Sequence, residues 1–340
     1  MAEGHRAVSV LYQALLTGLV LTLVTRRTED EAADFVFRLF RRQHLEKFLP
    51  GLAKLGLDGL PPAVACAQYH YLSNQMGGVK TEYAYESDRK AWVRYPPPRW
   101  IWYGSAICGI PSRVNAAILH GWHGHNGVTL GNPRLGFVCT GQTVDGHPGL
   151  EGYYVEHDRD LAPDERVRFA PGEIMPDADA DPARAPRLDP AAWPAERLEL
   201  VVSRYAMEYV RTALPVLLQL LGPPDTRRVL GHAARLIGMQ YHDETARLLG
   251  ITDSGPAAFA RYLAALAAAQ GEEVEVSTEP GRARVRQKGW RLARGLEPLD
   301  PGAFHAWAEL WHGALAAHDR RLRLTVTRET DAIDFDITSR

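Results

Sequence analysis

The sequence predicts an α+β fold, built as a tandem duplication of one unit with N-terminal helices, a β-hairpin, a helix and a second β-hairpin. The same order of segments occurs twice, at an offset of about 190 residues, which is the scale of a domain rather than of a solenoid repeat. In each copy, alternating apolar and polar residues predict short paired strands. Apolar residues at helical spacing predict the helices. A few short strands with helices gathered around them are typical of an α+β unit.

The overall composition fits two globular domains. The chain has 340 residues, a net charge of -2 and 46% hydrophobic residues, so it can form packed cores and has no overall basic character for nucleic acid. Its three cysteines lack any CxxC spacing, which argues against a disulfide framework and a cysteine-rich zinc site. We therefore expect a cytoplasmic protein without a nucleic-acid partner.

The most apolar run extends from Val8 to Val24 and is predicted to be a buried helix. It contains Tyr12 and Gln13, spans only 17 residues, and is not followed by the small-residue pattern of a signal-peptide cleavage site. We therefore expect no membrane partner. Further helices are predicted at 37–57 in the first copy and at 198–221 and 234–251 in the second.

A hairpin follows the helices in each copy. Its first strand is predicted from Lys80 in one half and from Glu273 in the other. Its second strands match one another at alternate positions: Ala91, Val93 and Tyr95 against Ala283, Val285 and Gln287. The next helix begins at Pro111 or Pro301, where proline is well tolerated because the first-turn N–H has no intrahelical partner.

The helix after the first hairpin contains the strongest match, Trp122-His123-Gly124 against Trp311-His312-Gly313. Strands at 134–140 and 152–156 close the first copy, and strands at 321–328 and 332–338 close the second. The segment between the copies is rich in proline, alanine and aspartate, a composition that is typical of a linker. The predicted domains are therefore 1–157, a linker at 158–196, and 197–340.

The first copy alone carries a histidine cluster. His120, His123, His125 and Asn126 lie at the predicted C-terminal end of the helix, whereas the second copy has Glu309, His312, Ala314 and Leu315 at the matching positions. Residues three apart share a helix face, so His120 and His123 are expected to lie together. His123 alone could equally be a structural histidine, because its match His312 follows a packing tryptophan too.

An insertion in the last hairpin is the second difference. The first copy has a glycine-rich loop at 141–149, whereas the second needs only Glu329 and Thr330 there. Long ordered loops are commonly kept for binding. We expect Asp145, His147 and Glu151 from this region to complete a site with the histidines.

Three kinds of chemistry can use these groups. A divalent metal (Mn, Fe or Zn) would be held by His120, His123 and His125, with His147 or Glu151. Metal-free hydrolysis, elimination or isomerisation would use a histidine as the proton carrier, or Cys139 as a nucleophile. A non-catalytic unit would bind a flat ligand, or haem through one axial histidine.

Aromatic residues predict where a flat substrate would lie. The proline-rich stretch before Trp100 and Trp102 cannot lie inside a central strand, so some of these rings are expected to line a loop. The substrate-binding residues expected beside the histidines are His70, Tyr71, Trp100, Trp102, Asn126 and Cys139. The chain has neither a phosphate-binding glycine loop nor a GxGxxG motif, so no nucleotide cofactor is expected.

The segment 67–78, Ala-Gln-Tyr-His-Tyr-Leu-Ser-Asn-Gln-Met-Gly-Gly, and the following strand at Glu82 to Glu86 resemble the L-2-amino-thiazoline-4-carboxylate hydrolase family. That family is similar to ligand-binding domains of 4-vinyl reductase type, whose wider fold group includes haem-based sensors. The resemblance implies opening of a C=N bond in a small heterocycle by water, with manganese. The duplication and the histidine cluster depart from a single-domain member, so the substrate is expected to differ.

Together these patterns favour an enzyme that hydrolyses a C–N or C–S bond of a small heterocyclic or aromatic compound. The catalytic residues would be His120, His123, His125, His147 and Glu151. The second copy would be a degenerate scaffold. A small-ligand or haem-binding protein, and a metal-free lyase or isomerase, remain alternatives, and a homodimer is compatible with the sequence.

Overall fold

The computed structural model describes residues 2–177, 185–296 and 299–339, which form two compact units. The central unit spans Arg27–Pro194. The terminal unit combines Met1–Arg26 with Ala195–Arg340. Small, mostly antiparallel sheets pack against helices in both, so the predicted α+β class is confirmed.

Helices and strands are numbered in chain order through both units. Helix α1, in the terminal unit, is Ala2–Arg26. The central unit follows with α2 (Glu29–Leu55), α3 (Pro62–Met76), β1 (Glu82–Ser87), β2 (Lys90–Tyr95), α4 (Ser112–Gly121), α5 (His123–Thr129), β3 (Leu135–Gly141), β4 (Leu150–Glu156) and β5 (Val167–Phe169). The terminal unit resumes with α6 (Ala195–Leu248), α7 (Pro256–Ala269), β6 (Glu273–Glu279), β7 (Arg282–Lys288), α8 (Pro301–His318), β8 (Leu322–Arg328) and β9 (Ala332–Ser339).

Helix α2 shows how local sequence sets the helix ends. The Thr28 hydroxyl accepts a hydrogen bond from the Glu31 backbone N–H, which satisfies one of the free donors of the first turn. Gly56 ends the helix with φ 68°, a left-handed conformation that glycine adopts without strain.

The central sheet has the strand order β1-β2-β4-β3-β5. All its neighbours are antiparallel except β5, which runs parallel to the outer edge of β3. One face packs on the helices, and the other carries Ala84, Trp92, Val138 and Tyr153. Ala170 and Met175 pack against that outer cluster, so part of the predicted linker covers the sheet of the central unit.

The terminal sheet has the order β6-β7-β9-β8 and is entirely antiparallel. Its outer face is charged and exposed, with the cross-strand ion pairs Arg282–Asp336 and Arg286–Asp334. The first four central strands and the four terminal strands therefore share one order and one set of directions. Tandem duplication is a prediction that this shared order supports.

Helix α1 is long and apolar enough to cross a membrane by length and composition alone. Within the terminal unit it packs along α6 and α7, and 67% of its most apolar window is buried. Its Tyr12 hydroxyl donates a hydrogen bond to Gln270 at 3.0 Å. These contacts are those of a core helix, as the sequence predicted for this run.

The assignment of the first helix to a unit and the continuity of the helix after Pro111 both differ from the sequence-based expectations. Residues 2–26 group with the terminal unit instead of the first repeat, because the apolar surface of α1 packs on α6 and α7. The helix that begins after Pro111 also breaks: Trp122 has φ -112° and ψ -68°, and a second helix begins at His123. This break changes the direction of the histidine side chains on its two sides.

Candidate functional site

Helices α2, α3 and α5 and strand β4 bring polar side chains together on the helix-covered face of the central sheet. We call these residues the histidine core and define it as His44, His70, His123, Asn126 and Tyr154. The side chains of all five lie in the interior of the unit. The local sequence pattern places three of them: His44 and His70 lie on the buried faces of their helices, and Tyr154 faces the helices because its neighbours along β4 face outward.

Asn126 connects the core by hydrogen bonds. Its side-chain amide donates to the Tyr154 hydroxyl at 2.8 Å and to Nε2 of His70 at 3.1 Å. The rings also stack: the centroids of His70 and His123 are 4.1 Å apart at 16°, and His123 is nearly parallel to Tyr154, at 6° and 5.9 Å. The ring of Phe137 is tilted by 52° against His123, with the two centroids 4.6 Å apart.

Burial keeps the core histidines neutral. Desolvation lowers the pKa of His70 to about 3, and lowers that of His123 well below its usual value, with further repulsion from His70 and Arg99. Burial and Arg41 lower the pKa of His44 to about 3, against an opposing contact from Asn126. Imidazoles this hard to protonate are poor proton carriers at neutral pH but good hydrogen-bonding or ligating groups.

His123 is the exceptional member of the core. It is 5% exposed, and neither Nδ1 nor Nε2 has a hydrogen-bond partner among the described residues. A buried polar atom without a partner costs about 1–3 kcal/mol, so a neutral imidazole with two such atoms is an expensive packing residue. Phenylalanine would fill the same place without that cost.

His120 and His125 lie nearer the surface, on other sides of the helix pair. His120 is exposed, and its ring is 6.0 Å from Phe169. His125 is half-buried, and burial, with Arg41 and Arg166 nearby, lowers its pKa to about 4. Arg41 also donates to Nδ1 of His44 at 2.7 Å, so this basic rim, defined as Arg41, His120, His125 and Arg166, borders the histidine core.

The inserted loop belongs to a different network. The Asp145 carboxylate accepts hydrogen bonds from Ser112 and Gln142, and Gln142 accepts from Asn115. His147 bonds the backbone of Gln142. Ser112 begins α4 and His120 lies eight residues later, about 12 Å along the axis. In the part of the chain that the structure describes, no hydrogen bond, ion pair or ring contact joins Asp145, His147 or Glu151 to His120 or His123, so the expected convergence is not observed.

Glu151 lies on the outer face of the sheet, not among the helices. It accepts hydrogen bonds from the Thr140 hydroxyl and from the Met175 backbone N–H, at 3.0 and 3.1 Å, and pairs with Arg94 at 3.5 Å. It therefore holds the covering segment against the sheet.

Four of the expected substrate-binding residues lie outside the core. Trp102 is buried at φ 59° and donates to Asn115 at 2.8 Å, within the loop network. Tyr71 packs against Tyr83, and Trp100 is half-buried. Cys139 is buried and bonds the Gly141 carbonyl, and desolvation raises the pKa of its thiol to about 12, which is unfavourable for a nucleophile.

The three histidines that were expected to bind a metal point in different directions. His123 is in the core, His120 faces solvent, and His125 lies 6.1 Å from the ring of His44. Within residues 2–177, 185–296 and 299–339, no group of three or more histidine, cysteine, aspartate or glutamate side chains has the geometry to hold a metal ion.

Sequence reasoning missed two core residues. His44 lies within the apolar stripe of α2, close to Phe40 and Phe48, and a histidine at such a position was a usable signal. Tyr154 alternates with neighbours of the opposite face and resembles an ordinary core residue. His70, which the sequence placed among the substrate-binding residues, belongs to the centre of the cluster.

Comparisons with protein families, curated proteins and solved structures find no match to this chain. The resemblance to the amino-thiazoline-carboxylate hydrolase family therefore stays a prediction from the sequence.

Proposed function

We propose that the central unit is a small-molecule binding unit whose histidine core binds a planar, polar heterocycle through neutral imidazoles. The observation that carries this proposal is the burial of His123 with two unpartnered ring nitrogens. A ligand that donates to one nitrogen or accepts from the other would remove the cost of that burial. The parallel rings of His70, His123 and Tyr154 match the preference of a flat ligand for aromatic surroundings.

The low pKa values in the core favour binding over proton transfer. A general base works best when its pKa is close to the working pH, whereas burial keeps the pKa of His70 at about 3. A neutral imidazole can accept a hydrogen bond throughout the physiological range. A neutral imidazole is also the form that binds haem iron as an axial ligand, so haem is one of the planar ligands that this proposal includes.

Hydrolysis of a C–N or C–S bond in the bound heterocycle is a second candidate, favoured by the basic rim. Arg41 and Arg166 act together on His125, and two guanidinium groups beside the core would attract a substrate with a carboxylate. Asn126 and His70 would then orient the ring. This arrangement does not require a metal.

The test uses the full chain and the variant His123→Phe, with His312→Phe as the matched control from the other half. The proposal predicts that His123→Phe leaves the thermal midpoint unchanged or raises it, because the unpartnered nitrogens are gone. It also predicts at least tenfold weaker binding of haemin or 2-amino-thiazoline-4-carboxylate, measured by absorbance and titration calorimetry. His312→Phe should bind as the unchanged protein does.

Two results would contradict the proposal. A loss of stability above about 2 kcal/mol in His123→Phe would identify His123 as a structural residue. Unchanged binding in that variant would place the ligand elsewhere. Release of thiol from the thiazoline, lost in Arg41→Gln, would support the hydrolytic candidate.

A further inference from the structure

The outer edge of β8 in the terminal unit differs from the matching edge of the central unit. Among the four strands that the two sheets have in common, β3 and β8 are both last in the order. Strand β5 pairs in parallel with β3, from Phe137 to Cys139. Among the described residues, β8 pairs only with β9, so its outer backbone groups have no strand beside them.

The backbone register identifies the groups on that edge. Tyr154 pairs with both Ala91 and Phe137, and Ile337 pairs with both Ala283 and Leu324. Because Ala91 and Ala283 match in the sequence, Phe137 corresponds to Leu324. The Phe137 N–H donates to the Arg166 carbonyl of the segment that leads into β5, at 2.8 Å, so Leu324 and Val326 are expected to present their N–H groups outward.

Two surface cavities lie where β5 would run. One, of about 580 Å³, is formed by α6, α8 and Val326. The other, of about 400 Å³, is formed by α6, α8 and residues from Leu322 to Leu324. In the central unit, Val167 and Phe169 of β5 pack on Gly124 and His120 of the helix pair. The terminal unit thus has the groove that β5 occupies, without a strand in it.

The groove is basic. Its lining contains five arginines and three histidines, against only two carboxylates: Arg227, Arg228, Arg235, Arg320, Arg323, His232, His305 and His312, with Glu309 and Asp319. The carboxylates are already engaged, by Arg235 and Arg321. In the described part of the chain no ion pair neutralises Arg227, Arg320 or Arg323.

We propose that the outer edge of β8 binds an extended acidic segment of a partner protein, which joins the sheet as a strand parallel to β8. Backbone hydrogen bonds to Leu324 and Val326 would supply sequence-independent affinity, and alternate side chains would enter the two cavities. The unneutralised arginines select acidic residues at those positions. This proposal is independent of ligand binding in the central unit.

The experiment measures binding of a fluorescein-labelled peptide of alternating glutamate and valine to the full chain by fluorescence anisotropy. We expect binding that weakens at least tenfold in Arg323→Glu and changes less than twofold in Arg284→Glu, which makes the same charge change on an exposed position of β7 away from the groove. A peptide of alternating lysine and valine should not bind. Absence of binding by the acidic peptide would overturn the proposal.

Two further measurements separate strand addition from simple attraction of an anion. A glutamate–valine peptide with a central proline keeps most of the charge but cannot form the backbone ladder, and it should bind at least tenfold more weakly. Hydrogen exchange of the Val326 amide should slow when the peptide is bound. Equal affinity of the two peptides with no protection at Val326 would show that the groove binds anions only and would refute the strand.

Discussion

The sheets of the two units share a strand order but carry opposite chemistry at matching positions. On the outer face of the central sheet, Trp92 lies opposite Tyr153, and their ring centroids are 4.5 Å apart. On the outer face of the terminal sheet, the pair at the same register is Arg284 and Asp336. The first pair is covered by the segment near Met175, whereas Arg284 is exposed.

The inner faces differ in the reverse sense. Asn126 and Tyr154 form buried hydrogen bonds in the central unit, whereas the sequence match and the strand register place Leu315 and Ile337 at these positions in the terminal unit, both buried. One strand order therefore accepts either chemistry on either face. Whether a face carries polar or apolar side chains depends on the layer that covers it and on whether its buried polar groups have hydrogen-bond partners.

The largest expected effect concerns the outer faces. Trp92→Ala should lower the free energy of unfolding by about 3–5 kcal/mol, because it removes a buried ring and the contact of its N–H with Glu86. Arg284→Ala, at the matching exposed position, should change it by less than about 0.5 kcal/mol. Urea unfolding of both variants measures the difference. Equal effects would show that the 170–177 cover does not bury the central sheet in solution.

The inner faces give the second test. Asn126→Leu should cost about 2–3 kcal/mol, because His70 and Tyr154 lose the amide that donates to both. The reverse change, Leu315→Asn, should cost a similar amount, because a buried amide would lack partners among apolar neighbours. Tyr154→Phe in the Asn126→Leu background should recover part of the loss. If both single variants were as stable as the unchanged protein, the polar and apolar cores would be interchangeable.

Per pH unit, the smallest expected effect is the dependence of stability on pH. The folded-state pKa of His70 is about 3, against about 6.5 in an unfolded chain, so the unfolded state binds more protons below pH 6.5. The contribution of neutral His70 to the free energy of unfolding is therefore fully present above pH 6.5, and it is lost as the pH decreases toward 3. Each such histidine contributes a slope of about 1.4 kcal/mol per pH unit.

Replacement of one core histidine should remove the contribution of that histidine to the slope of the free energy of unfolding against pH. Between pH 6 and 4, His123→Phe should flatten the curve, because burial holds the pKa of His123 well below its usual value in the folded protein; urea unfolding at several pH values measures this change. The matched control is His305→Phe, at an exposed position of α8. A slope that does not change in His123→Phe would mean that this imidazole is protonated without unfolding.

The sequence predicted the fold class and most elements because strand and helix periods are local properties. The hairpins, the helix after Pro111 and the buried α1 all follow from patterns within a few residues. The grouping of α1 with residues from 195 onward could not follow in this way, because it depends on which distant apolar surface α1 covers.

The site was harder to predict for a geometric reason. His120, His123 and His125 are close in sequence, but the break at Trp122 and the helical turn place His123 in the core and the other two on the rim. His44 is 79 residues from His123 along the chain, yet it lies close enough for charge repulsion to help lower the pKa of His123. Spacing along one helix reports neither the break nor the approach of a second helix.

The composite terminal unit has a consequence for synthesis of the chain. About 170 residues separate α1 from α6, its main packing partner. At usual rates of translation this is a delay of about 10–30 s. During that interval the central unit can be completed on the ribosome, while the apolar surface of α1 has no partner from its own unit. Recognition of nascent α1 by chaperones is therefore expected to end when α6 emerges.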